Sequence, residues 1–281
     1  MHNVVIASPP FWAYSASVAT VARDMMLSFQ NVRIALMVGI GGGVPSKSHD
    51  IRLGDIVVGA PKDGHRGLLQ YDLGGNTENE SFQITGFLDQ PPPVLQRALA
   101  GLRAQYKRRR HRIEETAATV IENNVLLWRH YKRPDQLSDR LYLAEAIHPN
   151  TKESCPLACD PHALIPRLPR DKDQDSLVIH YGSIASSNQL MKNALLRDKL
   201  AAEEDVLCFE VEAAGLMDNF PCLVIRGISD YSDSHKNNEW QGYAAMVAAV
   251  YAKDLLYQIP RVTAGKGTID ILLGQLRDLG Y

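Results

Sequence analysis

The stretch Leu207-Cys208-Phe209-Glu210-Val211-Glu212-Ala213-Ala214-Gly215, followed by Val224-Ile225-Arg226-Gly227-Ile228-Ser229-Asp230, decides how this chain is read. It runs as apolar strand, acidic turn, helix, apolar strand and second acidic turn. Glu212 and Asp230 are thereby predicted at the C-terminal ends of neighbouring strands, the edge where open α/β sheets bind ligands. One such acid can grip hydroxyls while the other delivers a proton to a leaving group.

Working outward, the same alternation continues on both sides. Towards the N-terminus, Asn3–Ala7 reads as a buried strand and Ser15–Ser28 as a helix with Ser15 as its cap. Arg33–Val38 reads as a strand ending in Gly39-Ile40-Gly41-Gly42-Gly43, Asp55–Gly59 as another, and Gly67–Leu73 as an edge strand or hairpin arm. Around the acidic turns, Leu177–Tyr181, Val206–Phe209 and Cys222–Arg226 read as strands. Asn188–Glu203, Glu212–Asp218 and Gly242–Tyr257 read as helices. This is the pattern of an α/β layered fold.

The middle of the chain differs. Pro91-Pro92-Pro93 opens a helix from Val94 to about Arg112, a polar helical segment runs towards His130, and Tyr131–Asp175 shows little periodicity. Residues 107–175 are read as a surface insertion without a second core. One domain over residues 1–260 is therefore expected, with 261–281 as a C-terminal appendage that starts a short helix near Gly265.

Composition narrows the function classes. A hydrophobic share of 45% suits a globular protein with a substantial core. Thirty basic against thirty-two acidic residues leave a net charge of −2, so no global field favours nucleic acid or an anionic membrane. No apolar run approaches the roughly 20 residues of a spanning helix, and Met1–Ala7 lacks the basic start of a signal peptide. The four cysteines include Cys208 and Cys222 inside apolar strands, which suits thiols used as small hydrophobes in a reducing compartment. A soluble cytoplasmic protein is the expectation.

Each polar constellation has a structural reading beside the chemical one. Gly39–Gly43 follows a strand and suits either close approach to a ligand or a tight turn. It is not the dinucleotide fingerprint, because Val44-Pro45 interrupts before any helix. Glu210 and Glu212, two residues apart in the acidic turn, are candidate site carboxylates, or both are solvated carboxylates at a helix N-terminus. Asp230 ends a strand far ahead of the next helix, which weakens a capping role and favours a functional one. His148, Cys155, Cys159 and His162 match no common zinc spacing and read as loop residues or an occasional disulfide, so no metal is expected. Lys107–Arg112 reads as a solvated helix end, since no aromatics interleave it for base stacking.

Several separated motifs, in order, resemble the purine nucleoside phosphorylase and nucleosidase superfamily. The resemblance is to the fungal nucleosidase-type domains often found at the head of larger proteins. They are Leu36–Pro45, Leu53-Gly54-Asp55-Ile56-Val57-Val58, Tyr181–Gln189, the Phe209–Gly215 turn and Arg226–Asp230; Ser138–Tyr142 and His148-Pro149 also resemble that group. The resemblance covers about Asn3 to Leu256. It implies a three-layer α/β sandwich around a mixed, partly barrel-like β-sheet, cleavage of a purine–ribose bond without cofactor, a small-molecule purine nucleoside or nucleotide as ligand, and a homo-oligomer.

By the same resemblance, Glu212 holds the ribose hydroxyls, Val211 packs where relatives usually have Met, and Asp230 protonates the purine, with Ser229 and Arg226 orienting it. Ile184, Ala185, Ser187, Asn188, Leu190 and Met191 lie along the base. Phe209 and Glu210 complete the turn. Gly41 and Gly42 face the anomeric carbon. Met37 and Ile40 stand where phosphate-using relatives place an arginine and a serine, which favours water as the nucleophile. The chain departs from the family in starting after a strand–helix–strand unit whose helix carries the water-activating glutamate. Its Pro9-Pro10-Phe11-Trp12 turn replaces a small glycine-containing loop. Two readings of other classes therefore stay open: a purine-binding module without turnover, and a repurposed enzyme moving protons on a non-nucleoside substrate.

Overall fold

The computed structural model describes residues 2–8, 15–61, 67–76, 82–88, 90–149, 151, 153–170, 176–217 and 220–260. Among the described residues there are seven strands: β1 (Leu36–Gly43), β2 (Ile56–Gly59), β3 (Leu68–Asn76), β4 (Phe82–Phe87), β5 (Ile179–Ser186), β6 (Val206–Glu210) and β7 (Leu223–Asp230). The helices are α1 (Ser15–Ser28), α2 (Pro93–Arg108), α3 (Ile113–Glu122), α4 (Val125–Tyr131), α5 (Cys155–Ala158), α6 (Ala194–Glu204), α7 (Ala214–Met217) and α8 (Gln241–Gln258).

The strands run in the order β2-β7-β1-β6-β5-β3-β4, and a further β2–β5 pairing closes the first five into a ring. β5 makes this possible by splitting one edge: Ile179–Gly182 pair with β2, while Ile184–Ser186 pair with β3. Parallel and antiparallel pairs mix, since β1–β7, β5–β6 and β2–β5 are parallel but β2–β7 and β1–β6 antiparallel. The β3–β4 hairpin extends from the ring. Strands inside such a ring are covered on both faces, which is why Ile56, Val57 and Val58 are all buried in succession.

The outer helices seal the ring with apolar stripes at helical spacing. α8 lies on β7 and β1 through Tyr243, Ala244, Val247, Ala248 and Tyr251. Its approach is so close that a Cβ on Gly227 would overlap the Ala244 carbonyl. α2 buries Leu95, Ala98, Leu99 and Leu102, and α3 buries Ile113, Ala117 and Ile121. Ile113, Ala117 and Leu141 join the main core. Buried Asp55 helps fasten that region. It accepts hydrogen bonds from Arg170 Nη1 (2.8 Å), the Val178 N–H (2.9 Å) and His180 Nε2 (3.1 Å). Burial pushes its carboxyl up, but the Arg170 and His180 bonds and charges outweigh that and hold it below the usual range.

Residues 3–8 correct the sequence reading. They are exposed and outside regular structure, with Ile6 90% accessible. A five-residue apolar run reads like a strand, yet among the described residues no strand edge pairs with it. The Pro9–Trp12 turn and the helix expected near Gly265 lie outside the described residues. No described helix is long and apolar enough to cross a membrane.

Candidate active site

Sheet order places the two acids differently from the sequence reading. β6 and β7 are not neighbours, because β1 lies between them. The acids still converge. β1 runs parallel to β7 with Gly42 opposite Asp230, but meets β6 antiparallel and only by its tip, Gly42 opposite Phe209 and Gly43 opposite Cys208. The C-terminal ends of β1, β6 and β7 therefore come together. A register shift in the β1–β7 pairing, as Gly41 pairs with Ile228 and Gly42 with Asp230, leaves Ser229 bulged and re-aims the residues around it.

The glycine run explains how three strand ends can crowd one point. It is not a loop, as the sequence suggested, but the last half of β1. None of Gly39, Gly41, Gly42 and Gly43 needs positive φ; what they supply is the missing Cβ. A Cβ on Gly41 would fall 2.5 Å from Cys208 Sγ and 3.0 Å from the Phe209 carbonyl. On Gly42 it would overlap Ser232 Oγ and lie 2.6 Å from Asp230 Oδ1.

A cavity of about 110 Å³ opens where these ends meet. β1 contributes Ile40, Gly41 and Gly42 to its wall, and β6 with its turn contributes Phe209, Glu210, Val211 and Glu212. β7 and the following loop add Ser229, Asp230, Ser232 and Lys236, and Leu190 and Met191 close the remaining side. Glu212 and Asp230 thus share one hollow.

Their electrostatics differ. Glu210 is the buried member of its pair; its carboxylate accepts the N–H groups of Glu212 (3.1 Å) and Ala213 and pairs with Arg226. Glu212 is partly exposed and meets the same guanidinium at 3.0 Å. Burial raises the Glu212 carboxyl above the usual range; Arg226 opposes this and Glu210 adds to it. Burial likewise raises Asp230, against a 3.0 Å hydrogen bond from the Ser232 N–H and the charge of Lys236, with Asp233 adding to the rise. A carboxyl whose burial favours its protonated form is suited to give up a proton.

Some expected residues stand elsewhere. Arg226 does not orient Asp230; it bridges Glu210 and Glu212. Gly39 and Gly41 leave it a lane across β1, where a Cβ on Gly39 would overlap its Nη1. Ser229 Oγ points to the Gly41 carbonyl at 3.5 Å, not to Asp230. Ile184 and Ala185 are fully buried in the apolar core and do not line the cavity, because the central strand β5 is covered on both faces. Ser187 donates to the Gln189 carbonyl at 2.9 Å, and the exposed Asn188 gives its N–H to Asp72. Both lie off the cavity wall. Ser232 and Lys236 were missed. Their signal was position: they follow Asp230 by two and six residues in the polar stretch before α8.

Away from this cavity, His148, Cys155 and Cys159 come together, while His162 stays outside the group. All four cysteines are free thiols.

No family model matches the chain. A nucleotide-binding leucine-rich repeat (NLR)-like protein from Hyaloscypha variabilis is 41% identical over 256 residues, 91% of this chain but 24% of that protein. An ATP nucleosidase, Cap17, from Escherichia coli strain KTE188 is 31% identical over 86 residues, 28% of this chain and 17% of that protein. The chain thus spans a quarter or less of each relative. Among solved structures, a protein assigned as a 5'-methylthioadenosine/S-adenosylhomocysteine nucleosidase from Borrelia burgdorferi B31, bound to adenine, superposes with a TM-score of 0.50. It is 14% identical, and the match covers 88% of this chain and 78% of that one. The mixed ring of five strands and its surrounding helices are the nucleoside phosphorylase-like fold.

Proposed function

We propose that the chain is an N-glycosidase that hydrolyses the purine–ribose bond of an adenine nucleoside or nucleotide. The observation that carries this reading is the pair Glu212 and Asp230, on one cavity and both raised above the ordinary carboxylate range by burial. Glycosidic cleavage passes through an oxocarbenium-like sugar, so it needs negative charge near the sugar and a proton for the departing base. Glu212, steadied by Arg226, holds the ribose hydroxyls and faces the developing cation. Asp230, fixed by the Ser232 N–H, protonates the purine at its imidazole nitrogen. Phe209, Val211, Leu190 and Met191 give the base an apolar seat, and the Gly41–Gly42 backbone passes the anomeric carbon without side chains in the way.

Water is the favoured nucleophile. Apolar Ile40 lines the cavity, and an unpaired phosphate oxygen against it would cost several kcal/mol (~2–7). The activity for which the Escherichia coli relative is named, ATP nucleosidase, supports including nucleotides among the substrates. The adenine bound to the Borrelia burgdorferi protein supports the choice of base.

The test is incubation with adenosine, adenine nucleotides and thioether nucleosides, with and without phosphate, followed by chromatography for free base. Phosphate-independent release that disappears in Asp230→Asn supports the reading. Tight binding without release would replace it with a purine-binding module, and silence on both counts would replace it with different chemistry.

A further inference from the structure

We infer that His148, Cys155 and Cys159 form a zinc-class metal site that clips the segment around α5 onto the loop following β7. One donor atom from each of the three lies within 4.8 Å of the other two, and all three are partly buried. They are brought together from an irregular stretch, with Cys155 opening α5 and Cys159 capping its end.

The chemistry of the donors is specific. Two thiols and one imidazole are the ligands of a borderline-soft divalent ion, and two thiolates neutralise its charge, so the assembled site is cheap to half-bury. His148 is already set in one tautomer: its Nδ1 donates to the Pro149 carbonyl at 2.6 Å, which leaves Nε2 with the free lone pair. A hydrogen bond of this kind on the other ring nitrogen is what orients metal-bound histidines.

A second observation points to the same place. His235 is buried, and its Nδ1 has no hydrogen-bond partner. Its distance to Asp233 Oδ2 is 3.6 Å, too long for a hydrogen bond. The His235 ring stacks on Tyr142 at 4.0 Å and meets the edge of the His148 ring at 5.8 Å. A buried ring nitrogen without a partner is costly, and a metal-bound water would satisfy it. His235 stands outside the three donors that lie within 4.8 Å of one another, so it completes the site through one water. Since the His148 N–H also donates to Ser234 Oγ at 2.9 Å, the ion would lock this segment to the loop that carries Ser232 and Lys236 into the cavity.

The full chain, kept reduced and stripped with a chelator, is titrated with Co²⁺ as a coloured stand-in for Zn²⁺. The expected result is one equivalent per chain, thiolate-to-cobalt charge-transfer absorption, displacement by Zn²⁺, and a higher Tm with zinc. Cys155→Ser and Cys159→Ser abolish the absorption, His148→Ala and His235→Ala weaken binding by at least about 10–100-fold, and His162→Ala leaves it unchanged. Absence of thiolate–cobalt absorption in the reduced wild-type chain overturns the inference whether or not any variant folds. So does binding that survives both cysteine substitutions, or a Cys155–Cys159 disulfide in the protein as purified.

Discussion

Replacing Gly42 by alanine puts one methyl group between β1 and the proposed acid, Asp230, with its anchor Ser232. The new carbon would overlap Ser232 Oγ and sit 2.6 Å from Asp230 Oδ1 and 2.9 Å from the Ser232 nitrogen. Comfortable carbon contacts begin near about 3.5 Å, so the carboxylate must retreat by roughly 1 Å. Ser232 Oγ can swing away. Its backbone nitrogen cannot, and that nitrogen holds Asp230 at 3.0 Å, so acid and anchor are displaced together. A shift of ~1 Å in a reacting group costs on the order of 10²-fold in rate. Overpacking costs about 1–3 kcal/mol of stability, a fall in Tm of roughly 2–6 °C for a domain of this size. Steady-state adenine release and urea unfolding measure the two effects separately. Ser232→Ala removes the worst overlap but keeps the N–H, so it should restore part of the rate in the Gly42→Ala background. Wild-type kcat with an unchanged Tm in Gly42→Ala would refute the close passage of β1 past the acid.

Two further outcomes follow from the buried charges. Arg226→Met strips the cation from Glu210 and Glu212 and should destabilise the chain by about 3–5 kcal/mol, with Arg226→Lys an incomplete rescue for want of the planar fork; a urea-unfolding loss below about 1 kcal/mol would contradict the bridge. Asp230 has its folded pKa raised above the unfolded one, so its stabilising contribution is complete below the unfolded value and is lost as pH rises through the folded one. Asp230→Asn should therefore unfold at higher temperature than wild type at neutral pH, with the gap closing below about pH 4. Equal neutral-pH midpoints would show that burial does not strain this carboxylate.

Much of this architecture was legible in local pattern. Ser15–Ser28 was read to its ends, and the acidic turns after Phe209 and Ile228 stood out because apolar strands stop there in carboxylates. Adjacency was not legible: β1 separates β6 from β7 because the ring closes through β2 and β5, a long-range choice that no window of residues encodes. Gly39–Gly43 looked like a loop because glycine usually marks one; here it marks strand crowding. The Arg226 guanidinium followed the space those glycines leave. His148, Cys155 and Cys159 were read as loop residues because their spacing matches no common zinc module, and only the fold brings them together.

The central claim is that Asp230 delivers a proton to the departing base, and a change of leaving group tests it most directly. Rates for wild type and Asp230→Asn are compared on adenosine and on 4-nitrophenyl riboside, whose leaving group departs without protonation. If the claim holds, Asp230→Asn loses about 10²–10⁴-fold on adenosine and little on the nitrophenyl substrate. Equal losses on both would contradict it.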